Sequence, residues 1–479
     1  MTERPNVLLI TFDQFRGDTF GARRGVIPTP AFDELGRRGV RFAAHHSQCA
    51  PCAPARASLY TGLYQCHHRV VANGTPLDDR FDNVARLARR AGYTPTLFGY
   101  TDQGLDPRLA EGPDDPRLRT YEGVLPGFEV ELDLAHDMDP WRRFLSAHGA
   151  DGSAPIAHLL TGEPSRHESL GLSAFTTDRL LSWIERRAAP WFAHASYLRP
   201  HPPYAAAGRW ARAVTPDAVP DPVLPEATPS GFHRAALGHP AAAAPADEGA
   251  LRRLAAQYYG MIGDVDEQLG RILAPLDASG AADRTVVIVT SDHGELLGDH
   301  GLLGKLGPWD ATFHVPLFVA DPRRPEGHGS TVQQFTEHVD VLGTIAELIG
   351  EPVPLQCDGR PLTGFLDGEI PPGWRSTTHW EFDWRDLVLD GDGSRWPHDR
   401  RIERFRLTVT RAVEAAYVQY GDGAWQGFDL TDPADWRRPL AADQDPFELA
   451  RDQLRWRSEH DERTWTSTLL GPEPLGLPS

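Results

Sequence analysis

A nearly unbroken apolar run, Asn6-Val-Leu-Leu-Ile-Thr-Phe12, stops at the polar pair Asp13-Gln14. A strand this uniformly apolar has to be covered on both faces, which in soluble folds means the interior of a parallel sheet. Runs of the same kind recur at Pro95–Tyr100, Trp191–Ser196, Thr285–Thr290 and Val315–Val319. Segments of helical period separate them. The clearest is Leu251–Leu273, where Leu254, Tyr258, Ile262, Val265, Leu269 and Ile272 step by three or four residues into one stripe. Asp82–Arg90 and Thr176–Arg187 read as shorter helices. The alternation predicts an α/β fold, a central, mainly parallel sheet flanked by helices. Sites in such sheets lie outside the carboxyl ends of the strands. Asp13, Tyr100-Thr101-Asp102 and Ser291-Asp292-His293 follow apolar runs directly and are the first places to look for chemistry.

Residues 1–370 carry this rhythm and are expected to form the catalytic domain. Within them Ala205–Ala250, rich in Ala and Pro and without periodicity, reads as a long surface excursion, either a lid or a partner contact. After about Pro371 the rhythm is lost. Residues 371–479 are rich in Trp and Arg and predict a smaller C-terminal α+β subdomain, with short strands at Arg406–Arg411 and Ala416–Tyr420. Their tryptophans (Trp374, Trp380, Trp384, Trp396, Trp425, Trp436, Trp456, Trp465) suit a subdomain core or an oligomer interface.

Composition excludes several classes. With 48 Lys and Arg against 67 Asp and Glu, the chain carries a net charge of −19. Such a surface repels phosphate backbones, and there is no basic run, so a nucleic-acid partner is excluded. An anionic substrate would have to be met by a local cationic site working against this field. No apolar stretch approaches the roughly 20 residues that span a bilayer, so no membrane association is expected. The segment Val7–Phe12 is shorter than a signal-peptide core of about 7–15 residues, which leads to the expectation of a cytoplasmic protein. The sequon Asn73-Gly74-Thr75 then carries no glycan. Four cysteines, Cys49, Cys52, Cys66 and Cys357, are too few for a disulfide scaffold.

The most specific local signal is Cys52-Ala-Pro-Ala-Arg56, followed by Ala57-Ser-Leu-Tyr-Thr-Gly62. C-x-P-x-R is the recognition sequence for oxidation of its cysteine to formylglycine. Further pieces accompany it: Pro5–Asp13, Gly92-Tyr-Thr-Pro through Tyr100, Arg199-Pro-His-Pro-Pro203, Ser291-Asp-His-Gly-Glu295, Gly298-Asp-His300 and Lys305. Together they resemble the sulfatase family of the alkaline-phosphatase superfamily, over most of the chain.

This resemblance implies an alkaline-phosphatase-like fold and a formylglycine at position 52, installed by a formylglycine-generating enzyme. The hydrated aldehyde would attack an ester in line and then expel the inorganic anion, avoiding hydrolysis of a crowded thioester-like intermediate. It implies one divalent metal ion held by Asp13, Asp292, His293 and residue 52. Most sulfatases carry paired aspartates after the first strand and Asp-Asn or Asp-Gln after the later one, an all-oxygen set that suits calcium. Here Asp13-Gln14 and Asp292-His293 stand instead, which is similar to the phosphonate monoester hydrolase branch. One imidazole moves the expected ion from calcium towards manganese or another transition metal. Arg56 and Lys305 match the family's basic residues, expected to neutralise the transferred group. Asn73, Tyr100 and His201 match substrate-contacting positions, expected to bond non-bridging oxygens or to protonate or stabilise the leaving oxygen. Position 102, a threonine in that branch, is Asp102 and becomes a candidate for substrate selectivity. The resemblance implies a small anionic ester as substrate, either an aryl sulfate or a phosphonate monoester or phosphodiester, and a homo-oligomer, dimer or tetramer.

Other readings of the same residues stand beside these. Cys49-Ala-Pro-Cys52 is also a C-x-x-C, which suits a thiol-redox pair or half a zinc site, or a non-catalytic protein with unmodified Cys52. A thiolate at Cys52 acting directly as the nucleophile would need a lowered pKa. Cys66 and Cys357 read as buried free thiols. His45-His46 and His67-His68 match no ligand position, and His300 and His314 read as supports behind the site.

Overall fold

A computed structural model describes residues 4–120, 122–135, 137–387, 404–431, 436–440 and 446–461. Its strands are β1 (Asn6–Asp13), β2 (Val40–His46), β3 (Cys49–Ala50), β4 (Pro95–Gly99), β5 (Glu129–Asp133), β6 (Phe192–Pro200), β7 (Thr285–Ser291), β8 (Leu317–Ala320), β9 (Thr331–Glu337), β10 (Thr378–Asp383), β11 (Arg406–Arg411), β12 (Ala415–Tyr420) and β13 (Trp425–Asp429). Eight of them form a central sheet in the order β5-β4-β6-β1-β7-β8-β2-β9. Its pairs are parallel except those of β8, which runs antiparallel to both β7 and β2. The expected α/β architecture is present. An apolar run such as Leu317–Ala320, buried throughout, says that both faces are covered and nothing about direction.

β1 shows why its sequence is apolar without a break. Leu8, Ile10 and Phe12 face one core, with Phe32, Tyr258, Ile262 and Leu269, while Val7 and Leu9 face another, with Leu59, Tyr60, Leu342 and Ile345. The helix expected at Leu251–Leu273 spans Glu248–Ala278, and its stripe from Tyr258 to Ile272 is fully buried. Asp247 caps it by accepting the Ala250 N–H at 2.7 Å. The helix expected at Asp82–Arg90 begins at Val84, with Asn83 as its cap. The one expected at Thr176–Arg187 lies at Leu172–Ile184. Its first N–H, on Leu172, is satisfied by the carboxylate of Glu163 at 2.7 Å, a cap from outside the helix that its own sequence does not reveal.

The second sheet has the order β13-β12-β11-β10-β3. β10 to β13 form an antiparallel meander, and β10 pairs in parallel with β3, setting Glu381 opposite Cys49 and Phe382 opposite Ala50. The C-terminal sheet therefore takes its last strand from the segment just before Cys52. Trp380, Trp384 and Trp436 are buried in a third core together with Phe232 and Trp309. Trp425 is half exposed, and Trp396 and Trp465 lie outside the described residues. Segment 205–250 is tied to the body: Val223 N–H reaches Asp299 at 2.8 Å, and the Leu303 and Ala244 N–H groups reach Ala242 and Gly301 carbonyls at 2.8 and 2.9 Å. Among the described residues no helix is long and apolar enough to cross a membrane.

Candidate active site

Four neighbouring strands, β4, β6, β1 and β7, end side by side. Their carboxyl ends deliver Tyr100, His201, Asp13 and Asp292 to one place, as parallel strands with a common direction must. Cys52 is the first residue of the buried Cys52–Thr61 helix, so the positive end of that helix points at the same spot. Gly294 lets the loop after β7 pass close to its neighbour, since a Cβ there would lie 2.1 Å from the Ala311 carbonyl oxygen. His293 is thereby turned inward.

Ligand-capable atoms of Asp13, Cys52, Asp292 and His293 all lie within 4.8 Å of one another, and all four residues are buried. His293 Nε2 is 3.4 Å from Cys52 Sγ, and its Nδ1 donates to the Gly294 carbonyl at 3.0 Å. The neutral ring therefore presents the Nε2 lone pair to the cluster. Burial, helped by Lys305, lowers His293 to about 3. Burial alone would raise Asp13, but His201, Lys305, Arg56 and His293 hold it well below the usual carboxylate range. Asp292 is pushed up by burial and by Asp13. Two carboxylates, one imidazole lone pair and the atom of residue 52 make a donor set that fits a divalent ion. Burial, followed by Asp13, also pushes the Cys52 thiol up, so these side chains do not favour a ready thiolate.

Lys305 Nζ lies 3.0 Å from Cys52 Sγ and donates to Gln14 Oε1 at 3.0 Å. The Gln14 amide in turn donates to Glu295, whose other oxygen accepts the Leu297 and Gly304 N–H groups, both at 2.7 Å. Glu295 thus fixes the loop that carries Lys305. Gln14 sits at φ 70° and gives its own N–H to Asp292 Oδ1 at 3.0 Å.

Arg56 is held among the acids of the site. Its guanidinium is fully buried, with Nε on Asp292 Oδ2 at 3.0 Å, Nη2 on Asp13 Oδ2 at 3.1 Å and Nη1 on Ser196 Oγ at 2.8 Å. It lies against the carboxylates, because buried acids side by side need a cation between them. Tyr100 likewise donates to Asp13 Oδ2 at 2.9 Å. Asn73, half-buried, accepts the Ala53 N–H at 3.0 Å and so holds the start of the Cys52 helix. His201 donates from Nδ1 to the Pro202 carbonyl at 2.7 Å, and burial, ahead of Lys305, lowers it to about 4. Asp102 is buried with Oδ2 3.5 Å from Arg56 Nε.

Sequence reasoning did not assign roles to Gln14, Glu295, Ser196 or Gln103, although Gln14 and Glu295 lie inside the quoted motifs. The paired histidines stay out of the cluster. His338 donates to the Asp292 carbonyl at 3.0 Å and accepts from His45 at 3.0 Å, a relay behind the strand end. His46 stacks on Trp380, His67 pairs with Asp358 at 2.8 Å, and His68 bonds Ser58 at 3.0 Å. His300 stacks on Trp309 and His314 donates to the Ala43 carbonyl. Cys49 and Cys52 are buried thiols, and Cys66 and Cys357 are half-buried rather than buried. A neighbouring cavity of about 410 Å³, lined by Arg16, His46, Trp309, Asp310 and Arg411 among others, includes none of the four clustered residues.

Comparison with known proteins shows the family. The sulfatase family model matches residues 5–351. The multifunctional alkaline phosphatase superfamily protein PehA of Trinickia caryophylli is 35% identical, with 98% of this chain and 99% of that one aligned. An arylsulfatase of Clostridium perfringens is 25% identical over 84% of this chain and 87% of its own. The crystal structure of a phosphonate monoester hydrolase of Agrobacterium radiobacter superposes with a TM-score of 0.88 at 38% identity, covering 98% of both chains. The chain belongs to the sulfatase family, and it is a hydrolase of anionic esters.

Proposed function

We propose that this hydrolase is formylglycine-dependent and metal-dependent, and that it cleaves aryl sulfate monoesters and phosphonate monoesters or phosphodiesters at one site. The observation that carries this is the position of Cys52, at a helix N-terminus, 3.4 Å from His293 Nε2 and 3.0 Å from Lys305 Nζ. A divalent ion held by Asp13, Asp292, His293 and residue 52 supplies Lewis-acid activation there, and formylglycine at position 52 supplies a hydrated-aldehyde nucleophile. Arg56 and Tyr100 orient Asp13, and Arg56 also orients Asp292. Lys305 places a cation beside residue 52, where negative charge on the transferred group is greatest. Asn73 holds the start of the Cys52 helix in place by accepting the Ala53 N–H. His201, with Nδ1 committed to Pro202, keeps its Nε2 lone pair as a proton acceptor.

The imidazole in the ligand set and the similarity to a phosphonate monoester hydrolase support the phosphonate reading, while the family as a whole supports sulfate. Manganese is the ion expected from one nitrogen donor, with calcium the alternative. Maturation by a formylglycine-generating enzyme, a cytoplasmic location and a homo-oligomer complete the proposal. Turnover of p-nitrophenyl sulfate and of p-nitrophenyl phenylphosphonate by one preparation tests it. Metal-dependent hydrolysis of either is expected, and their ratio assigns the preference. Hydrolysis of neither by the modified, metal-loaded protein contradicts the proposal.

A further inference from the structure

Asp102 stands where the resemblance leads one to expect a neutral threonine, and the structure holds it rigidly. Its backbone is left-handed at φ 52°, a conformation that Asp and Asn tolerate better than most residues. Both neighbours are anchored: Thr101 Oγ1 donates to the Gly123 carbonyl at 2.8 Å and accepts the Leu125 N–H at 2.8 Å, while Gln103 Nε2 donates to the Ala53 carbonyl at 2.9 Å. The carboxylate is buried, 3.5 Å from Arg56, and close enough to raise the Cys52 thiol.

Its charge changes the balance of the site. When Asp102 is ionised, Asp13, Asp102 and Asp292 set three carboxylates around Arg56, with Lys305 a second cation beside residue 52 and Glu295 a further buried acid behind Gln14. The ionised Asp102 therefore lowers by one unit the positive charge that the site offers an ester, which costs a dianion about twice what it costs a monoanion. Sulfate monoesters, phosphonate monoesters and phosphodiesters are monoanions, whereas phosphate monoesters are dianions above about pH 6.

We propose that Asp102 is a charge filter, a specificity-determining residue that favours monoanionic esters over dianionic phosphate monoesters. The proposal rests on the reading of this site as the ester-binding site. Its physical basis is long-range repulsion in a buried setting, where one added charge several ångströms away changes affinity by about tenfold or more.

Calorimetric binding to manganese-loaded protein in a Cys52→Ala background tests it without turnover. The two probes are p-nitrophenyl sulfate and p-nitrophenyl phosphate, which share an aryl group and differ in charge. Titration at about pH 9 keeps Asp102 ionised, since burial, with Arg56 opposing, pushes it up to about 8. The parent is expected to bind the sulfate more tightly. Asp102→Asn, which keeps the shape and the backbone preference, is expected to raise phosphate affinity relative to sulfate by about tenfold. Asp102→Gly, which suits φ 52° and leaves no side chain, should do the same. Folding of both is checked by circular dichroism. An unchanged ratio in the folded variants, or an equal gain for both anions, overturns the filter. Failure of the parent to bind either anion overturns the site reading itself, and the filter with it.

Discussion

Arg56 Nε donates to Asp292 Oδ2 at 3.0 Å, so the arginine of the motif and the acid that follows β7 form a fully buried ion pair 236 residues apart in the chain. The same guanidinium holds Asp13 at 3.1 Å. The motif's arginine thus joins the ends of the two central strands before any substrate arrives.

Removing this cation leaves the buried carboxylates of Asp13, Asp102 and Asp292 without the cation they share. Arg56→Ala is expected to cost about 3–5 kcal/mol of folding stability, read as a lowered urea midpoint, and to weaken manganese retention in a metal assay. Wild-type stability in this variant would contradict the pairing.

Lys305 is assigned the charge at residue 52. Lys305→Ala should lower kcat by about 10²–10³ for both p-nitrophenyl sulfate and p-nitrophenyl phenylphosphonate, measured in steady state on fully modified protein. A change confined to KM would place Lys305 in binding alone.

In the proposed ligand set His293 is the nitrogen donor. His293→Asn replaces a nitrogen ligand by oxygen, and calcium should gain on manganese in competition binding. Chelator treatment of the parent should abolish turnover, with recovery best on manganese. An unaltered preference in His293→Asn would remove the imidazole from the ligand set.

Acid should unfold the protein through its buried histidines. Burial lowers His68, His194 and His338 to about 3, about 3 and about 4, against an unfolded value of 6.5. The unfolded chain binds protons that the native chain refuses, so stability falls as the pH drops from 6.5 towards 4, by up to about 1.4 kcal/mol per pH unit for each histidine. Urea titrations across this window measure the slope. His194, which donates from Nδ1 to the Leu9 carbonyl and accepts from Tyr60, should contribute about one of these protons, so His194→Gln should flatten the slope. An identical slope in that variant would contradict the assignment.

Much of the site was legible because its residues lie at ends of apolar runs. Asp13 and Asp292 follow β1 and β7, which are neighbours in the sheet, and a parallel sheet brings such ends together. What Arg56 touches was not legible, since its spacing from Cys52 says that it shares the helix and nothing of the carboxylates arriving from elsewhere. The bridge from Gln14 through Glu295 to the Lys305 loop is similarly tertiary. β5 was missed because four of its five residues are exposed and it carries no apolar pattern. The pairing of β3 with β10 was missed because a two-residue strand has no period to read.

Chemistry at position 52 separates elimination from simple displacement. Cys52→Ser should accept the transferred group once and retain it, giving a covalent adduct by mass spectrometry, whereas Cys52→Ala should be inert. Full turnover by Cys52→Ala would exclude residue 52 as the nucleophile.

The most direct measurement is the mass of the peptide carrying residue 52, taken on preparations expressed with and without a formylglycine-generating enzyme and paired with their turnover of p-nitrophenyl sulfate and p-nitrophenyl phenylphosphonate. The account predicts the mass loss of thiol-to-aldehyde conversion, with activity proportional to the converted fraction. Full activity in protein whose Cys52 is wholly unmodified would contradict it.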